Sequence, residues 1–231
     1  MKNTLTLLLL ALSASAFAEG SNFDGAYLGL HGGYDHVYSQ GADYVDGNHS
    51  GYSFSNELGP GLLGVFGGFN KTLSSNVLVG IEAEYEFHKG DRTSLVKFNG
   101  HPDTIGGNTV KSESRDAASI RAKLGYIFNE NRTFAYVTAG YALEKLKNTY
   151  TDVLGTAGND PGTSETNSNW FKGWTAGLGV EHFVNDKISI KGEYRRSGFS
   201  DETDNTPMYG SIQHVKFDSY NSLRLGVAYH F

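Results

Sequence analysis

What most constrains the folding of this chain is an alternation of period two that recurs in eight separate segments. It is clearest in the final stretch, LRLGVAYHF. There Leu223, Leu225, Val227, Tyr229 and Phe231 fall on one face of an extended strand, and Ser222, Arg224, Gly226, Ala228 and His230 on the other. Upstream, Val77, Val79, Ile81, Ala83, Tyr85 and Phe87 oppose Gly80, Glu82, Glu84 and Glu86. Ile120, Ala122, Leu124, Tyr126 and Phe128 oppose Ser119, Arg121, Lys123 and Gly125, and Trp174, Ala176, Leu178 and Val180 oppose Thr175, Gly177, Gly179 and Glu181. The pattern predicts strands over roughly 25–35, 61–71, 77–88, 117–128, 134–145, 171–184, 188–199 and 215–231. Each is about as long as the ~9–11 residues a tilted strand needs to cross a bilayer.

The connections decide how such strands are arranged. Short TLSSN, NENRT and NDK alternate strictly with long polar stretches such as HVYSQGADYVDGNHSGYSFSNELGP and KNTYTDVLGTAGNDPGTSETNSN. In an up-and-down barrel this puts every long connection at one end, with the tight turns and both termini at the other. The fold class expected is therefore an all-β, eight-stranded antiparallel up-and-down transmembrane β-barrel with four long extracellular loops and short periplasmic turns. The apolar faces finish in aromatics, which predicts two girdles at the membrane edges: Phe69, Tyr126, Phe128, Tyr229 and Phe231 on the periplasmic side, and Tyr34, Phe87, Tyr141 and Trp174 on the outer side. A soluble lipocalin-like barrel would use the same letters with the apolar face turned inward.

Export fits the membrane reading. Lys2, an apolar run from Leu5 to Leu12 and small residues at Ala16 and Ala18 predict a signal peptide over residues 1–18 and a barrel domain over 19–231. The apolar run is much shorter than the ~20 residues of a membrane-spanning helix. Removing it takes one Lys and no acid from 19 basic and 25 acidic residues, so the formal charge of −6 deepens to −7. With no basic cluster, nucleic acid is not an expected partner. The absence of Cys excludes disulfides, Cys-ligated metal and thiol nucleophiles.

On the polar faces the same parity sends Glu82, Glu84, Glu86, Arg121, Lys123, Glu144, Glu181, Lys191, Glu193, Arg195 and Arg224 into the lumen. An eight-stranded barrel is just wide enough for side chains to fill. Paired charges should plug it, with Glu181 meeting Lys191 across the NDK turn and the strand-three acids meeting Arg121 and Lys123. The competing expectation is a small hydrated pore for solutes. His36, His49, His88, His101 and His214 fall in or beside the long connections and are candidate haem ligands, although no cofactor is expected as a resident group. GPGLLG fits a dinucleotide-loop pattern but lacks the strand before it and the helix after it. None of the strand histidines His31, His182 and His230 sits beside a Ser and an acid in a way that suggests a triad, so no enzyme is expected.

The segments KGWTAGLGVEHFVNDKISIKGEYR and LRLGVAYHF, with GGF, VLVGIEAEY and RAKLGYIF upstream, resemble the porin-like or opacity-like outer-membrane β-barrel proteins of alphaproteobacteria. The most specific elements are Gly173 to Gly177 and Glu193 to Arg195. The resemblance implies an eight-stranded barrel with surface-exposed loops, and the function expected is that of an outer-membrane surface antigen with an envelope-structural role, in contact with lipid. Its exposed loops would be available to a host or haem ligand. It also implies that Phe231 is the signal read by the barrel-assembly machinery.

Overall fold

The computed structural model describes residues 21–45, 48–73, 76–102, 107–153, 163–200, 202–208, 211–217 and 219–231; the expected signal peptide lies outside them. Eight strands close into a ring: β1 (Gly25–Val45), β3 (Gly61–Thr72), β4 (Val77–Leu95), β7 (Thr109–Phe128), β8 (Thr133–Asp152), β9 (Thr163–Phe183), β10 (Ile188–Phe199) and β13 (Tyr220–His230). All neighbours are antiparallel, and β13 pairs with β1 from Tyr27 opposite His230 to His36 opposite Asn221, which leaves the barrel no edge.

The tight turns use the chemistry their backbone demands. Asn129, Glu130 and Asn131 carry φ of 54°, 53° and 62° between β7 and β8, and Asn76 has φ 65° just before β4. Asparagine tolerates this left-handed region better than most side chains. In the NDK turn the Asn185 side-chain oxygen accepts from the amides of Lys187 and Ile188 at 2.9 and 2.8 Å.

The long connections differ from the expected polar loops. The ring strands continue far past the membrane: β1 runs 21 residues, β9 another 21 and β8 20. Five further strands are β2 (Asn48–Leu58), β5 (Lys97–Phe98), β6 (His101–Pro102), β11 (Glu202–Met208) and β12 (Ser211–Phe217). The expected last strand over 215–231 is likewise divided between β12 and β13. The upper part of β1 pairs with both β2 and β12. These segments satisfy their backbone groups by pairing with each other and lack a continuous apolar stripe, so period two was not visible in them.

Burial settles which way the barrel is turned. Leu63, Leu225 and Leu30 are 70%, 68% and 66% exposed, whereas Glu82 and Arg121 are 0% and 1% exposed. The apolar face is the outer one, which a lipocalin-like barrel would reverse. Tyr34, Phe69, Phe87, Tyr126, Phe128, Tyr141, Trp174, Tyr229 and Phe231 all point outward.

Candidate functional site

The interior is built in layers. At the short-turn end Phe23, Leu78, Ile127, Phe134, Tyr136 and Phe183 form one buried apolar cluster. Phe23 lies before the first strand and folds into the mouth, its ring 4.6 Å from Phe183 and 5.5 Å from Phe134. Next to it, Asp24 fastens the segment to the end of β3: it accepts from the Thr72 amide at 2.6 Å, from the Thr72 hydroxyl and from Lys71 at 2.9 Å. Burial works to raise the Asp24 carboxyl, but these hydrogen bonds outweigh it and hold the group below its ordinary value. No alternation marks Phe23, so the sequence carried no signal for it.

The middle layer is charged. Glu82 accepts from Arg121 at 2.5 Å, from Tyr27 at 2.8 Å, and from Lys123 and Lys191 at 3.1 Å. Arg121 also donates to Glu193 at 2.5 Å and to Glu84 at 2.8 Å. Arg195 binds both Glu84 and Glu193, while Arg224 holds Glu86 at 2.5 and 2.9 Å. Gly64 makes room for this packing, since a Cβ there would meet the His31 ring at 2.3 Å.

Two pairings differ from the expected ones. Lys191 does sit opposite Glu181 on the ladder, but its ammonium crosses the lumen to Glu82 and lies 3.4 Å from the Phe66 ring centroid. Long side chains in a narrow barrel reach across it as easily as sideways. Glu86 pairs with His31 at 2.9 Å and with Arg224 rather than with Arg121 or Lys123. Glu144 is held by Ser114 at 2.9 Å and Tyr220 at 2.5 Å, without a Lys or Arg partner among the described residues.

The histidines separate. His88 is a lumen residue, buried and 2.9 Å from Asp35, because the parity that turns Glu82 to Glu86 inward continues through it. It is therefore not a surface ligand. His36 is exposed and 3.3 Å from Glu57, and His101 is exposed on β6. His49 and His214 lie on β2 and β12, with side chains outside the described residues.

His230 does meet a Ser and an acid in space. Ser189 Oγ lies 3.1 Å and Glu181 Oε1 3.0 Å from the same His230 nitrogen, Nε2, and Ser189 also donates to Glu181 at 2.6 Å. A hydrolytic triad needs the acid on one ring nitrogen and the nucleophile on the other. Here both crowd one nitrogen, and all three residues are buried.

Above the charged layer, Val37, Leu58, Leu146, Phe171 and Tyr220 close the far end, with Phe199 against them. Beyond it Phe54, Val96, Val110 and Tyr150 join the outer strands.

A barrel with lipid-compatible walls and a filled polar lumen defines an integral membrane β-barrel. The chain belongs to the outer membrane protein beta-barrel domain family, matched over residues 4–231. The 31 kDa outer-membrane immunogenic proteins of Brucella melitensis and Brucella suis are each 27% identical over 222 residues, covering 91% of this chain and 84% of theirs. Among solved structures, the outer membrane protease OmpT of Escherichia coli shares the fold with a TM-score of 0.51 at 10% identity, covering 94% of this chain and 100% of that one. The protein is thus an integral outer-membrane β-barrel with its apolar wall in lipid, its long strands and loops outside, and its short turns toward the periplasm.

Proposed function

We propose that the barrel is a closed anchor: it holds the extended outer strands at the cell surface, braces the envelope, and passes no solutes. The observation that carries this reading is the sequence of occlusions along the lumen, from the Phe23 cluster through the Glu82–Arg121–Glu193 layer to the Phe171–Tyr220 cluster. Buried, mutually paired charges in so narrow a barrel leave little room for a water column. The crowding of Ser189 and Glu181 on one nitrogen of His230 favours a non-catalytic interior. The Brucella relatives are described as immunogenic, which fits a protein whose outer strands meet the host, and a host or haem ligand would be met there.

In this reading residues 1–18 are a signal peptide, and Phe231 is recognised by the barrel-assembly machinery. Phe231 stays accessible for that role: its amide donates to the Ala26 carbonyl at 3.1 Å and its ring meets only the edge of Tyr229 at 5.2 Å among the described residues, while the residue is 70% exposed. The aromatics Tyr34, Phe87, Tyr141 and Trp174 mark the outer membrane edge, and Phe69, Tyr126, Phe128 and Tyr229 the inner one. The reading is tested by osmotic swelling of liposomes containing the protein in small sugars. Wild type should leave the liposomes impermeable, and swelling at a rate proportional to protein content would overturn the closed anchor.

A further inference from the structure

Just beyond the outer aromatic edge, β8 and β9 present an outward patch that no interior partner explains. On their paired ladder Tyr141 stands opposite Trp174, Leu143 opposite Lys172, and Lys145 opposite Trp170. Lys145 and Lys172 are therefore diagonal neighbours on one face, with Cα atoms about 7–8 Å apart. The chain's two tryptophans bracket Lys172, and both are about half exposed. Lys145 lies 5.9 Å from the Trp170 ring centroid, within cation–π range.

The charge balance separates these two lysines from their basic neighbours on β7 and β8. Nearby Lys111, Arg115 and Lys147 surround Glu113 at 3.4, 2.8 and 3.3 Å, and Lys111 also reaches Asp91. Among the described residues, neither Lys145 nor Lys172 has a carboxylate within ion-pair distance. Two neighbouring ammonium groups repel each other unless an anion lies between them. Their depth indicates which anion. Lys172 is two residues past Trp174, about 7 Å along the strand and about 5 Å along the membrane normal after tilt. That is the headgroup layer rather than the aqueous side, and Lys145, four residues past Tyr141 and so about 5 Å further out, reaches back to it along its long stem.

We propose that Lys145 and Lys172 hold the phosphoryl group of an anionic lipid of the outer leaflet, with Trp170 and Trp174 packed against its sugar or glycerol portion. Phosphate oxygens supply the acceptors that the ammonium groups lack, and the indoles offer amphipathic surface suited to that depth. The site depends on the outward orientation of the long strands and is independent of whether the barrel conducts.

Because both tryptophans lie in the patch, intrinsic fluorescence reports on it directly. The full folded protein in zwitterionic detergent is titrated with a diphosphorylated glycolipid of the lipid A type. A dephosphorylated glycolipid of equal acyl composition, inorganic phosphate and an acidic peptide serve as controls. A saturable emission change is expected with the phosphorylated lipid alone, with its midpoint shifted about tenfold in Lys145→Gln/Lys172→Gln. Lys111→Gln should bind like wild type, and Lys145→Arg/Lys172→Arg should restore binding. Heat-modifiable gel mobility verifies that each variant is folded. The proposal is overturned if the dephosphorylated lipid works equally well, if inorganic phosphate alone gives the full change, if the peptide replaces the lipid, or if the double Gln variant binds unchanged.

Discussion

Substituting Arg121 tests the charged layer more severely than substituting Lys191. Its guanidinium serves three buried carboxylates at once, Glu82 and Glu193 at 2.5 Å and Glu84 at 2.8 Å. Lys191 serves one, Glu82, which would still keep Arg121, Lys123 and Tyr27 if Lys191 were lost. Arg121→Met preserves bulk but removes the shared cation, and breaking a buried ion-pair network in this way costs about 3–5 kcal/mol. Lys191→Ala, leaving a carboxylate with other partners, should cost about 1–3 kcal/mol. The gap of about 2 kcal/mol corresponds to roughly thirtyfold in the population of loosened barrels.

The direction of any leak also follows. Among the described residues the lumen holds seven buried carboxylates, Asp35, Glu82, Glu84, Glu86, Glu144, Glu181 and Glu193, against five Lys and Arg side chains, Arg121, Lys123, Lys191, Arg195 and Arg224, with His31, His88 and His230 beside the acids. Removing Arg121 takes one positive charge from the interior and leaves its carboxylates in excess of Lys and Arg, so its openings should favour cations. The assay pairs the temperature of heat-modifiable mobility shift with reversal potentials in a salt gradient. Arg121→Met should shift at a distinctly lower temperature than Lys191→Ala and give cation-selective openings. Equal stability of the two variants, or anion-selective openings, would refute the shared-cation reasoning.

Three further outcomes are expected. The chain has no Cys, so single replacements give clean labelling: Ser164→Cys, exposed on β9, should react with an impermeant maleimide on intact cells, and Asn131→Cys, exposed in the β7–β8 turn, should react only after lysis. Deleting Phe231 should lower the amount of assembled barrel, measured as the heat-modifiable band in outer-membrane fractions, while the assembled remainder keeps its normal shift temperature. The Asp24 clasp should respond to acid: its carboxyl is held below the ordinary 3.8, so its contribution is fully present above that value and is lost as pH falls through the lower folded value. Holding of the Phe23 segment, followed by protease protection of the N-terminal segment, should therefore persist to about pH 4 and fail below it, whereas Asp24→Asn should fail at neutral pH.

The barrel was legible because lipid and lumen impose opposite chemistry on alternate residues, and eight strands with alternating turn lengths leave one simple closure. The outer extensions were not, because their apolar residues, such as Phe54, Val110 and Tyr150, are too sparse to make a stripe, and stretches such as TSETNSN read equally well as loop. Parity predicts which wall a side chain faces and not which charge it meets. Lys191 and Glu82, bonded across the lumen, are 109 residues apart in sequence. His88 was readable in principle, since it closes the expected strand over 77–88 and the alternation that turns Glu86 inward reaches it; its place at the strand's end put it with the long connection instead. Phe23 belongs to no strand, so only the folded barrel brings it to the mouth.

The measurement that bears most directly on a closed, charge-filled anchor is single-channel recording of the wild-type protein in planar lipid bilayers at neutral pH. The layered lumen predicts a silent baseline with at most rare, brief openings. A large, steady conductance that survives Arg121→Met unchanged would contradict it.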